Sequence, residues 1–129
     1  MKITPFLFLV VILYNCQGRV KESSPIQSPS GKYSIIACVN QPSTSEENFA
    51  IVLIKLYSRE GIKLSELNTQ ASDFSKWAVG WDTFNDTLIL NSRDIGVLAW
   101  KIEQNEFKEV FASEAIQNRA AEIFTTEQD

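Results

Sequence analysis

Four aspartates, Asp73, Asp82, Asp86 and Asp94, are the densest set of side chains in the chain that could do acid–base or metal chemistry. Two carboxylates flanking a glycosidic bond can serve as acid and as base or nucleophile, and several together can hold calcium. The run Asp82-Thr83-Phe84-Asn85-Asp86 departs from an EF-hand loop, because Phe84 occupies a ligand position and Thr87 stands where glycine is needed. All four aspartates lie in stretches expected to turn, where the side chain bonds to its own backbone. The turn role is therefore expected for each, and no catalytic, cofactor-binding or metal-ligating residue is assigned. Asn85-Asp86-Thr87 also matches a glycosylation sequon.

Histidine is absent from the 129 residues, which removes His-based triads, Cys–His dyads and HExxH zinc sites together. No G-x-S-x-G nucleophile motif occurs, and five glycines form no phosphate-cradling loop. A net charge of −4 argues against nucleic acid as a partner, since phosphate contacts need a surplus of Lys and Arg. Trp77, Trp81 and Trp100, with Phe74, Phe84 and Tyr57, could instead form an aromatic platform for a sugar or a protein. The alternation of Trp77, Val79 and Trp81 fits a core-lining strand better, so the core is the favoured reading of these tryptophans.

The two cysteines are Cys16 and Cys38. Cys38 sits in an apolar strand-like run and is expected to be a buried, inert thiol. A disulfide with Cys16 is open if Cys16 stays unmodified in an oxidising compartment. Cys16 closes a leader: Met1-Lys2 supplies a positive charge, and Ile3 to Tyr14 is apolar apart from Thr4 and Pro5. Twelve residues of helix cover only about 18 Å, against a bilayer core of about 30 Å. A charged start and a short apolar run are the marks of an export signal rather than a permanent span.

Leu13-Tyr14-Asn15-Cys16 resembles the lipobox of small bacterial lipoproteins, with an aliphatic residue three before the cysteine. Asn15 stands where that family usually carries Gly, Ala or Ser. The resemblance implies removal of residues 1–15 and acylation of Cys16 with diacylglycerol and a further fatty chain. An anchor of several chains would hold the domain permanently at a membrane of the bacterial envelope. The acidic body would contribute little attraction to anionic lipid.

Composition and pattern then place the elements. The chain is 44% hydrophobic and 11% aromatic, enough for one packed domain. Gln17 to Gly31 is polar, holds Pro25 and Pro29, and reads as a flexible tether after the lipidated Cys16. Strands are expected at 33–39, 49–57, 62–67, 76–81, 87–91, 95–102 and 107–111, separated by polar turns such as Gln41 to Glu47. Ile116, Ala120, Ile123 and Phe124 fall on one face of a helix over 113–124, with Ser113 as its cap. The tail 126–129 is expected to fray.

The fold class is thus mainly β: a small antiparallel sheet or sandwich of about six or seven strands over 32–125, with one C-terminal amphipathic helix. Ser28-Pro29-Ser30-Gly31-Lys32 resembles the turn that opens blades of TolB-type β-propellers, and Asp82 to Asp86 echoes its position before a second strand. Two blade-like units cannot close a ring of about four to eight blades, so a propeller is not expected. Two function classes follow. One is a tethered, non-enzymatic binding or accessory domain with an envelope protein or glycan as partner. The other is a small hydrolase of envelope glycans working through a pair among the four aspartates.

Overall fold

The computed structural model describes residues 22–40 and 50–128. The leader, the Leu13–Cys16 motif and the loop expected at 41–47 lie outside the described residues. Two four-stranded antiparallel sheets stack face to face, each with its strands in chain order. The first contains β1 (Ile26–Gln27), β2 (Tyr33–Asn40), β3 (Ile51–Ser58) and β4 (Lys63–Ser72). The second contains β5 (Trp77–Trp81), β6 (Thr87–Ser92), β7 (Gly96–Glu103) and β8 (Glu106–Val110). One helix, α1 (Glu114–Gln128), lies against β5, β6 and β7 on the far side of the second sheet.

The period-2 alternation decides which side chain enters which layer. Ile35, Ala37, Val52, Ile54 and Leu56 point from the first sheet toward the second. Val79, Trp81, Leu88, Leu90 and Trp100 point back at them, and none of these ten side chains is more than 5% exposed. The other face of the second sheet presents Ala78, Ile89 and Ala99 to Ala120 and Ile123 of α1. Both faces of β5, β6 and β7 are therefore dry, which accounts for strands that are apolar on both sides.

The halves repeat closely. Ile26 pairs with Ile35 and Gln27 with Ser34, as Gly80 pairs with Ile89 and Trp81 with Leu88. The backbone N–H of Ser28 donates to Tyr33 O at 2.9 Å, and that of Asp82 to Thr87 O at 2.8 Å. Ile35 and Ile89 hold equivalent positions, but Ile35 faces the second sheet whereas Ile89 faces the helix. The stack thus runs in one direction, and α1 occupies on the second sheet the place that the second sheet occupies on the first.

Three expectations are corrected. Residues 22–31 are part of the fold rather than tether. Glu22 bridges to Cys38, Ile26–Gln27 joins β2, and Ser28 is buried. A short polar strand has no apolar period to betray it; it is held by backbone pairing and by the Trp81 indole, which donates to Ile26 O at 2.9 Å. β4 extends to Ser72, beyond the expected Leu67, through an irregularity at Asn68–Ser72 that breaks the alternation. Gln70 takes φ +70° there, and the Thr69 hydroxyl donates to Val52 O in the buried interior. The helix continues to Gln128 instead of fraying after Phe124; the Thr125 and Thr126 hydroxyls donate back to the carbonyls of Ala121 and Glu122. Ser113 caps it as expected, its hydroxyl accepting from the Ile116 N–H at 3.3 Å.

Gly80 sets the spacing between sheet and helix. A Cβ placed on it would meet Ile123 Cδ1 at 3.1 Å. Gly80→Val is therefore expected to lower stability by about 1–3 kcal/mol through overpacking, read as an earlier midpoint in urea unfolding followed by tryptophan fluorescence.

Candidate functional site

The four aspartates do not converge. Asp82 and Asp86 share the β5–β6 turn, Asp73 lies in the β4–β5 link and Asp94 in the β6–β7 turn. Asp73 accepts the Trp77 indole N–H at 2.7 Å, and Asp82 accepts the Thr83 backbone N–H at 2.7 Å. Asp86 reaches across to the other sheet, accepting the Ser30 backbone N–H at 3.2 Å and the Ser30 hydroxyl. Asp94 also crosses, accepting the Ser72 backbone N–H at 3.0 Å. Asp86 and Ser30 belong to the two echoed turns, so the equivalent hairpins of the two halves are hydrogen-bonded to each other. Among the described residues no group of three His, Cys, Asp or Glu side chains stands close enough to hold a metal ion.

Nor do the tryptophans form an outward platform. Trp81 and Trp100 are each 4% exposed and lie in the core between the sheets. Trp77 packs at the edge of that core and remains half-buried. Cys38 is a free, buried thiol on the outer face of the first sheet. Cys16 lies outside the described residues.

What the fold does assemble is a cleft of about 390 Å³ between β1–β2 and β5. Its floor is apolar, from Ile26, Ala37, Val39 and Val79, and Trp77 forms a wall. Glu22, Asp73, Ser75 and Lys76 supply its polar rim. Among the described residues, the two-residue β1 leaves the Trp77 end of β5 open, and the cleft lies there. An apolar floor with a few polar groups at the mouth suits a small ligand or an inserted side chain. Of the residues singled out from the sequence, Asp73 and Trp77 come together here; Asp82, Asp86, Asp94, Trp81 and Trp100 do not line it. Glu22 and Lys76 carried no signal in the sequence, because the cleft is made by a strand that the pattern of apolar residues does not reveal.

At the opposite end, Trp81, Asp82 and Thr83 line a second hollow of about 490 Å³ with Pro29 and Arg119. The Arg119 guanidinium donates to Trp81 O at 3.0 Å and pairs with Glu122, so its charge is already committed to closing the helix onto β5. Compared with known protein families, curated proteins and solved structures, the chain matches none.

Two expected outcomes test this assignment. Asp86→Ala and Asp94→Ala should each lower stability by about 0.5–1.5 kcal/mol, the size of a net intramolecular hydrogen bond, in chemical unfolding. Trp81→Phe keeps the ring in the core but removes the bond to Ile26 O. Amide exchange over 22–27 should then quicken about fivefold, the factor set by a loss of about 1 kcal/mol.

Proposed function

We propose that this protein is a lipid-anchored component of the bacterial envelope whose β-domain is a binding or accessory module rather than an enzyme. Its partner is an envelope protein or glycan, and the cleft beside Trp77 is where a small part of that partner is held. The observation that carries the tethering is the leader: a charged start, twelve residues from Ile3 to Tyr14 that are apolar apart from Thr4 and Pro5, and Cys16 at their end. What supports the binding role is that each candidate aspartate is engaged in a hydrogen bond that ties down a turn or a neighbouring side chain.

The anchor does what the domain's own charge does not. With Lys2 removed alongside the leader, the mature chain is more acidic than the whole, and general electrostatics do not hold it to anionic lipid. Each buried CH₂ of an acyl chain contributes about 0.8 kcal/mol, and two or more chains make the attachment stable.

Cell fractionation and intact-mass measurement decide the reading. The wild-type protein should be found with membranes, starting at Cys16 and carrying the mass of its acyl chains. Cys16→Ala should retain residues 1–15 and gain no lipid. A purified wild-type protein without added acyl mass overturns the proposal.

A further inference from the structure

We infer that the domain sits upright on the membrane, with the end that carries Phe74 and Ile95 pressed against the lipid headgroups. This inference rests on the lipid anchor at Cys16 proposed above. Its geometric basis is the entry of the chain into the fold at Glu22. Only six residue steps separate Cys16 from Glu22. Fully extended, they reach at most about 20 Å. A tether running to Gly31 would have allowed the domain to roam; this leash does not.

The register says which end is held. Glu22 bridges to Cys38, two residues before the end of β2 at Asn40. Asn40 lies opposite Ile51, and Ile51 opposite Ser72. Ser72 is hydrogen-bonded to Asp94 in the β6–β7 turn, and Arg93 N donates to Lys76 O at 3.0 Å. The near end therefore gathers Glu22, the β4–β5 link and the β6–β7 turn. Residues 28–33, 58–62 and 82–87 lie at the other end, one strand length away, roughly 25 Å at the usual rise per residue.

The near end has the chemistry of an interfacial surface. Phe74 is 79% exposed and Ile95 is 38% exposed, on two turns joined by the Asp94–Ser72 bond. Lys76 and Arg93, on the same two turns, both stand over the ring of Phe124 at 5.1 and 5.8 Å. Asp73 and Asp94, the acidic groups on the same turns, accept bonds from the Trp77 indole and the Ser72 N–H. An aromatic and an aliphatic side chain beside two cations match an anionic headgroup layer, into which apolar groups sink by about 5–10 Å. The far end also carries exposed apolar residues, Phe84 and Ile62, and two cations, Lys32 and Arg59, so it is the short leash at Glu22 that selects the near end.

The test uses the protein as purified from membranes, reconstituted into vesicles of phosphatidylethanolamine and phosphatidylglycerol. Single cysteines, Phe74→Cys or Phe84→Cys, are labelled with an environment-sensitive fluorophore. Cys38 is buried and the Cys16 thiol is acylated, so the introduced thiol takes the label. Flotation first reports whether the protein is anchored. In floating protein, a quencher carried on lipid chains should quench the label at position 74 at least about twofold more than that at 84, as expected for a group seated at the interface. Equal quenching, or stronger quenching at 84, overturns the orientation while leaving the anchor intact. Protein that does not float overturns the anchor and the orientation together.

Discussion

The structure depends on one contact, the face of the first sheet against the face of the second. A four-stranded meander of this size exposes two faces and cannot keep either dry alone. Ile35, Val52, Ile54 and Leu56 meet Trp81, Leu88, Leu90 and Trp100, and the mutual burial removes the largest side chains of both halves from water. At about 25 cal/mol per Å² of apolar surface, each such side chain contributes about 1.5–3 kcal/mol. Among the described residues no other contact brings together so many large apolar groups. Breaking it would leave the first sheet without its core partner and the second with only the smaller cluster it shares with α1.

Stacking in a single direction leaves a problem at each end of the stack, and one end is solved by the helix. The second sheet turns Ala78, Ile89 and Ala99 outward from the core, and small residues predominate there because α1 must approach closely. Gly80 marks the closest approach, and Arg119 and Asn91 close the seam with bonds to Trp81 O and Ala120 O. Edge strands are handled differently. β1 is short, β4 carries its irregularity, and β8 is lined with Glu106, Lys108 and Glu109, all devices that discourage pairing with another chain.

Polar side chains tie the ends of the sandwich, and this is where the aspartates are used. Asp86 to Ser30 and Asp94 to Ser72 are bonds between sheets at opposite ends of the strands. They set the two hairpin systems in register so that the apolar faces interlock. The same bonds bear on function, because they bring the β4–β5 link and the β6–β7 turn together on the end where the chain enters. A cleft rimmed by Glu22 and Lys76 and an exposed Phe74 belong to that end.

Much of this was legible in the residues. Alternation along 33–39, 76–81 and 87–91 places the core side chains, and the spacing of Ile116, Ala120, Ile123 and Phe124 identifies the helix, because burial of one face imposes its period on the chain. The absence of histidine and the form of the leader are likewise properties of composition and order that no folding can alter. Tertiary structure decided the rest. β1 is polar and two residues long, so only its partners show it to be a strand; β4 runs through an irregularity that erases the alternation. Whether Asp73 and Asp86 meet, and whether Trp77 faces solvent or core, depends on contacts between residues far apart in the chain. Local pattern records which face of an element is dry, but it does not record what lies on the other side.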